Sequence, residues 1–428
     1  MKNVLIISPY FPPVNAADMQ RVRMSLPYFT KFGWNPEVVT VDEKYTDIAQ
    51  DDLLLQSVPD NIIIHRVKAF NKKWTSKLGL GSIGLRSLFY YFLNVNSLLK
   101  NKKYDLIYFS TTQFPVCILG AYWKKRFKIP YVIDMQDPWF SNYYQDKPKS
   151  QRPKKYWFSY HLNKYLEPIA MKKVDGLISV SDSYISDLKK RYPSIKNVPG
   201  QTITFGAFKP DMEIAASNKN LGERLLTQND INIIYVGRGG NDMHSAISPV
   251  FEALQFGLKN SPQLFNKLKF YFIGTSYASS GRGVETIMPL AKKFQVENNV
   301  IEITNRISYY QTLNLLQEAN ALFIPGSDDP KYTASKIYPY LLTLKPILAI
   351  FNSNSSTLRI LEEYGVINSF SFDLTPDLTT KINAFLCKIA ANDKTEVVYN
   401  QNAMEEYSAE TITKMQVQFF EVIIKKYV

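Results

Sequence analysis

The chain opens Met1-Lys2-Asn3-Val4-Leu5-Ile6-Ile7-Ser8-Pro9-Tyr10-Phe11-Pro12-Pro13-Val14-Asn15-Ala16-Ala17-Asp18, and how this stretch is read decides the fold. The apolar run Val4 to Ile7 is too short for a signal peptide and leads into a proline-rich turn, so Val4–Ser8 reads as a buried strand. A helical pattern, Met19–Phe32, follows, and then a second strand, Pro36–Val41. The same rhythm carries on through Ile62–Val67, Asp105–Ser110, Tyr131–Asp134 and Gly176–Val180, with a helical pattern at Phe114–Phe127. Short β-branched runs alternating with amphipathic stretches predict a parallel sheet with helices on both faces.

A polar, strand-poor stretch, Phe208–Asp230, interrupts the pattern, which then restarts. Asn232–Val236, Lys269–Ile273, Val300–Ile303, Ala321–Ile324 and Pro346–Phe351 read as strands, separated by helices such as Ala246–Leu258 and Ser308–Glu318. A length of 428 residues exceeds what one compact core usually holds. The expected fold is α/β, two doubly wound Rossmann-like domains facing each other across a cleft. The domains are read as residues 1–206 and 207–410. The last helix, about Ile412–Tyr427 within 411–428, fits either half by pattern and is placed as packing back on the first.

Lys and Arg number 51 against 38 Asp and Glu, a net charge of +13, which calls for an anionic partner. Cys117 and Cys387 are the only cysteines, too few and too far apart for a disulfide framework. His65, His161 and His244 are scattered, so no metal site is expected. No stretch reaches the roughly 20 apolar residues of a spanning helix; the most apolar, Leu85 to Leu99, carries Arg86, Asn94 and Asn96. The expected location is cytoplasmic, peripheral on the inner face of the cytoplasmic membrane.

In open α/β sheets ligands bind beyond the carboxyl ends of the strands, so the residues just after each strand are the place to look for chemistry. After the first strand, the proline-rich loop with Asn15 and Ala16 feeds a helix carrying Arg21, a setting for an anion or a sugar hydroxyl; an ordinary turn with a capping Asp18 is the plain alternative. After Tyr131–Asp134 comes Met135-Gln136-Asp137-Pro138-Trp139. Asp137 is placed to take a proton from an acceptor hydroxyl, although Asp-Pro also opens turns. Asn232–Val236 ends in Gly237-Arg238-Gly239-Gly240-Asn241-Asp242. The glycines allow close backbone approach and Arg238 suits a phosphate. His244 follows a few residues on. The segment Pro325-Gly326-Ser327-Asp328-Asp329-Pro330-Lys331-Tyr332-Thr333-Ala334-Ser335-Lys336 places Ser335 and Lys336 in the first turn of a helix. A lysine there opposes the helix dipole and makes better sense beside a bound phosphate.

Basic and aromatic residues interleave from Lys72 through Phe92 and from Tyr122 to Phe158. Such stretches suit an anionic membrane interface. The same mixture suits single-stranded nucleic acid, or plain basic faces over core aromatics. A nucleic-acid partner is the weakest of these readings, being motivated by charge alone, and none is expected.

Taken together the motifs resemble the family-four type of GT-B glycosyltransferase. The resemblance spans nearly the whole chain. Its marks are the Pro-Pro loop with Arg21 and Phe32-Gly33-Trp34-Asn35-Pro36, then Asp134-Met135-Gln136-Asp137-Pro138-Trp139, then Val174-Asp175-Gly176-Leu177-Ile178-Ser179-Val180-Ser181. In the second half they are Val236-Gly237-Arg238 and Ser335-Lys336-Ile337-Tyr338-Pro339-Tyr340-Leu341 with Lys345-Pro346. The resemblance implies a second domain that binds a nucleotide diphosphate sugar as co-substrate, and a first domain that binds a lipid-linked glycan acceptor. It also implies retention at the anomeric carbon, no cofactor and no metal. The diphosphate would lie on Gly237, Arg238, Ser335 and Lys336, with Gly326, Lys331, Tyr332, Arg306 and His244 as further donor-side candidates. Asn15, Ala16 and Arg21 are the acceptor-side candidates and Asp137 the catalytic group. Three features depart from the family, the first being that the glycines of its first loop are replaced by Ala16 and Ala17. The glutamate pair on the donor-site helix is replaced by Lys331 and Pro339, and the lysine that follows the arginine is missing. These departures keep open a non-catalytic glycan-binding or partner-stabilising protein. A sugar-nucleotide epimerase or phosphorylase on the same fold stays open as well.

Overall fold

The computed structural model describes residues 1–140, 142, 145, 148, 149, 152, 155–219, 221–278, 281–329, 336–393 and 397–427. The chain divides into two compact units, residues 1–206 with 407–428, and residues 207–406.

The first unit is built on seven parallel strands in the order β3-β2-β1-β4-β5-β6-β7. They are β1 (Lys2–Ile7), β2 (Trp34–Val41), β3 (Ile63–Val67), β4 (Leu106–Ser110), β5 (Tyr131–Met135), β6 (Gly176–Ser179) and β7 (Gly200–Thr202). Its helices are α1 (Gln20–Phe29), α2 (Lys72–Thr75), α3 (Ile83–Asn101), α4 (Ile118–Phe127), α5 (Tyr156–Met171) and α6 (Asp182–Arg191). The opening run is apolar at every position because both faces of β1 are covered. Leu5 and Ile7 point into a core shared with α3, α4 and α5. Val4 and Ile6 point into a second core shared with α1 and the C-terminal helix, Ala409–Ile424. That last helix begins three residues before the sequence pattern places it, capped by Ser408 Oγ accepting from the Thr411 N–H at 3.1 Å. It is keyed to the first unit by Phe420 against Trp34, ring centroids 5.5 Å apart, and by Trp34 Nε1 donating to Glu421 at 2.9 Å. Gly176 makes room for it: a Cβ there would lie 2.8 Å from both Phe419 and Ile423.

The second unit is built on six parallel strands in the order β10-β9-β8-β11-β12-β13. They are β8 (Ile231–Val236), β9 (Leu268–Ile273), β10 (Val300–Ile303), β11 (Ala321–Pro325), β12 (Ile347–Phe351) and β13 (Ser369–Ser371). Helices α7 (Lys209–Ser217), α8 (His244–Asn260), α9 (Pro262–Phe265), α10 (Met288–Lys293) and α11 (Tyr309–Glu318) belong to it. So do α12 (Ile337–Leu342), α13 (Ser356–Glu363), α14 (Leu378–Ala390) and α15 (Gln401–Glu406). The stretch that reads as strand-poor contains α7, held to α11 by the Tyr309 and Tyr310 hydroxyls, each donating to Asp211 at 2.9 Å.

Both sheets are doubly wound α/β. In the first, strand order reverses direction between β1 and β4; in the second, between β8 and β11. These are the two topological switch points, where loops on neighbouring strands diverge and leave a crevice.

Candidate functional site

At the first switch point the loop after β1 is pinned on both sides. Asp51 N donates to Pro13 O at 2.7 Å and Asn15 N to Ala49 O at 2.9 Å, so an outlying segment ties down the proline turn. The Pro12–Pro13 bond is cis. At the far end of the loop Asp18 is buried and reaches across to the end of β4. Its Oδ2 accepts from Thr111 Oγ1 at 2.9 Å, Thr112 N at 3.0 Å and Thr112 Oγ1 at 3.2 Å. The third strand end joins through Gln136, whose amide donates to the Asp18 carbonyl at 3.0 Å and to Ser110 Oγ at 2.9 Å. Desolvation by burial holds the Asp18 carboxyl above its ordinary pKa despite these donors.

Asp137 stands next to Gln136 and is exposed, as is Pro138. Protein packed around its carboxyl nonetheless strips away much of its water. That desolvation, and then the charge of Asp18, raise its pKa to about 6. A carboxyl that titrates just below neutrality at a strand end is suited to accept a proton.

The second switch point is bridged in the same way. Asp242, on the loop after β8, accepts from Ser327 Oγ at 2.7 Å on the loop after β11, and its carbonyl accepts from Asp328 N at 2.7 Å. Arg238 grips the same carboxylate through both terminal nitrogens, at 3.0 and 2.6 Å. Burial pushes the Asp242 pKa up, but the bonds from Arg238 and Ser327 outweigh it and hold the carboxyl below its ordinary value. Lys336 comes in from the other side. Its amine donates to the Tyr235 hydroxyl at 2.7 Å and lies 4.5 Å from the centre of that ring. Desolvation, then the charges of Arg238 and Arg306, lower its pKa to about 7. Gly237 makes this possible, because a Cβ there would collide with the Lys336 amine and stand 2.8 Å from the Tyr235 hydroxyl. The loops after β8, β9 and β10 are laced by backbone bonds, Gly239 N to Thr275 O at 2.8 Å and Ser276 N to Thr304 O at 3.1 Å. On the last of them Arg306 stacks 4.0 Å over the exposed Tyr277 ring.

The sequence-level candidates separate accordingly. Gly237, Arg238 and Lys336 come together, with Arg306 close enough to act on the Lys336 charge. Lys336 is not in a first helical turn: it precedes the six-residue α12, with its amine turned onto Tyr235. His244 starts α8, its Nε2 2.8 Å from the Thr286 carbonyl. Gly326 has a packing role, since a Cβ there would sit 2.6 Å from the Phe351 ring. Ser335, Lys331 and Tyr332 lie outside the described residues. Arg21 corrects the acceptor-side expectation. It is buried, ion-paired to the buried Asp134 at 2.7 Å, and donates to the Ile203 and Thr204 carbonyls at 2.8 and 2.9 Å. Its charge is spent on joining α1 to β5 and to the chain after β7. Asn15 is half-buried and Ala16 buried in the pinned loop. Sequence reasoning gave no functional weight to Asp18, Asp242, Ser327, Thr111 or Tyr235. A usable signal was present for the first two: each is an acidic residue two positions ahead of the helix that follows the first strand of its half.

No family model matches the sequence, and no curated protein matches it. Solved structures do. Anabaena Alr3699/HepE, crystallised in complex with UDP, is 15% identical, with 99% of this chain and 100% of that chain covered and a TM-score of 0.57. WaaG, a glycosyltransferase involved in lipopolysaccharide biosynthesis, is 13% identical over 98% and 99% of the chains, TM-score 0.56. The UDP-forming α,α-trehalose-phosphate synthase from Burkholderia xenovorans, in complex with glucose-6-phosphate, is 11% identical over 98% and 100%, TM-score 0.59. Likeness over the full length at such identities establishes the fold: the protein is a GT-B protein with two Rossmann-like units.

Proposed function

We propose that the protein is a glycosyltransferase that takes a sugar from a nucleotide diphosphate sugar and delivers it to a hydroxyl of a lipid-linked glycan at a membrane surface, in cell-envelope polysaccharide or glycoconjugate synthesis. The observation that carries the reading is the cationic cluster of Arg238, Lys336 and Arg306 at the β8/β11 switch point. Burial, and then the charges of Arg238 and Arg306, lower the Lys336 pKa, and a bound diphosphate would favour its charged form. Supporting context comes from a neighbour of the same fold, HepE, which was crystallised with UDP-glucose.

In this reading the second unit binds the donor, and Arg238 and Lys336 stabilise the diphosphate as it leaves. The first unit binds the acceptor, and Asp137 orients or deprotonates its hydroxyl. Transfer proceeds with retention, and the cationic side chains neutralise the leaving group where another enzyme would use a metal. The test is calorimetry with UDP, GDP and their sugars, followed by transfer assays with the donor that binds. Binding of none of these would remove the reading. One observation favours a second reading. Pro339 on α12 occupies a position where the resembling family carries a glutamate, so a glycan-binding protein without turnover stays in play. Donor binding with no transfer to any envelope glycan would select it.

A further inference from the structure

Three helices distant in sequence share one outer surface of the first unit. α3, α4 and α5 bury their inner sides in a single core, through Tyr91 and Val95, Leu119 and Trp123, and Ala170 and Met171. Their outer sides carry Phe89 and Leu93, Tyr122, and Trp157, Tyr165 and Ile169, all exposed. α3 and α4 are joined by the Phe92 and Tyr122 rings, 5.1 Å apart, and by Trp123 Nε1 donating to Asn96 at 3.1 Å. The turn after α2 joins α5: Lys155 donates to the Ser76 carbonyl at 3.2 Å, and a Cβ on Gly79 would lie 2.8 Å from the Phe158 ring. Trp74, on α2, thereby comes beside the start of α5.

The side chains on this surface are unusual for water. Trp74 is 73% exposed, Trp157 71% and Tyr165 70%. Trp157, Tyr165 and Ile169 fall at intervals of eight and four residues, which places them on one stripe of α5. A contiguous exposed apolar surface marks an interaction site. Its charge is one-sided. Asp105 is the only acidic residue between Lys72 and Ile133. The only acid on α5, Glu167, is buried against Arg191. Lys73, Lys77, Lys125, Arg126 and Lys164 are exposed among the aromatic residues, with Lys77 5.6 Å over the Trp74 ring.

The geometry points to this surface as the one by which the protein docks on a lipid bilayer with anionic headgroups. Tryptophan and tyrosine rings settle at the headgroup boundary, where one end is apolar and the other wet. Exposed lysines add attraction to anionic lipid. Leu93 and Ile169 favour lipid over nucleic acid, because an aliphatic side chain offers a base no ring to stack on. The surface differs from the one the basic and aromatic stretches of the sequence describe. Trp123 and Tyr91 belong to the core, and Arg86 is buried, donating to the Phe70 and Tyr45 carbonyls at 2.8 and 2.7 Å. The inference rests on the membrane part of the proposed function and not on its chemistry, so the experiment omits donor and acceptor.

The full chain is sedimented with phosphatidylcholine vesicles, with and without phosphatidylglycerol, at low and high salt, while tryptophan emission is recorded. Binding to the anionic vesicles alone, a blue shift on binding, and loss of both at high salt are expected. Lys73→Gln/Lys77→Gln/Lys164→Gln should weaken binding on the order of a hundredfold, about fivefold per lysine. Trp74→Ser/Trp157→Ser/Tyr165→Ser should bind more weakly and lose the blue shift. Lys259→Gln/Lys267→Gln/Lys292→Gln, exposed in the second unit, removes the same charge and should bind as the unmodified chain does. Melting temperatures confirm that each variant is folded. Equal loss in the second-unit variant overturns the inference, as does binding to an oligonucleotide but not to vesicles. Failure of vesicle binding with donor binding intact would sink this surface and leave the transfer reading standing.

Discussion

Asp18, in the loop after β1, and Asp137, just past β5, are two carboxyl groups whose charges oppose each other across the end of β4. If Asp137 must be ionised to act, transfer should rise with pH through about 6 and level off above. Asp18→Asn removes the repelling charge and should move that limb to lower pH; an unmoved limb in the pH–rate profile would show that the coupling is absent. Asp137→Asn should cut turnover by ~10²–10⁴ with donor affinity nearly intact. On the donor side Lys336 titrates near 7 in the free protein. A diphosphate favours its charged form, so donor affinity should be greatest below pH 7 and fall as pH rises above it, with proton uptake in calorimetry at pH 8. Lys336→Met should abolish that pH dependence. Arg238→Ala should weaken nucleotide diphosphate binding by about 1.5–3 kcal/mol. Arg238 and Asp137 stand out in the sequence because each lies two residues past a strand whose end could be read to within a residue. The Lys336–Tyr235 contact does not. It depends on an absent Cβ at Gly237 opening a path between residues 101 positions apart.

At the scale of elements, the strands with long apolar runs could be read to within a residue or two, because burial on both faces leaves few polar positions to blur them. β7 and β13 could not. Gly200-Gln201-Thr202 and Ser369-Phe370-Ser371 are three-residue strands at the sheet edges, with no hydrophobic run to announce them. At the opposite edge of the first sheet β2 and β3 are joined by polar chemistry. Glu37 on β2 accepts from the Tyr104 hydroxyl at 2.7 Å, pairs with His65 on β3 at 2.7 Å, and pairs with Lys102. Burial pushes its pKa up, but these partners outweigh burial and bring it below the ordinary glutamate value. A lowered carboxyl pKa stabilises the fold above the unfolded-state value of about 4.3, and that stability is lost as pH falls through the folded value. Glu37→Gln should therefore cost about 1–3 kcal/mol at pH 7 and much less near pH 3, read from urea midpoints at the two pH values.

At the scale of the whole molecule, the first unit is discontinuous: it begins at Met1, is left at Gly206 and is rejoined at Tyr407. The pattern of the last helix left its allegiance open, since an amphipathic stripe fits any apolar sheet face of the right width. Its partners decide it, with Phe419, Phe420, Ile423 and Ile424 buried against the first sheet. Burying such side chains contributes about 1.5–3 kcal/mol each, so the four together rival the whole stability of a domain. A chain ended at Glu406 should lose the cooperative melting of the first unit. Residues 207–406 made alone should fold and, on the proposed reading, keep donor affinity; a disordered fragment by circular dichroism would refute that autonomy. The split also orders events at the ribosome. The strands around Val4, Ile6 and Leu106 are made before the helix that covers them, which follows only after some 200 intervening residues have been made into another unit. At about 5–20 residues per second that apolar face waits about 10–40 s for its cover. The nascent chain is therefore a natural client for a holdase throughout that interval, and faster elongation across the second half would shorten its exposure.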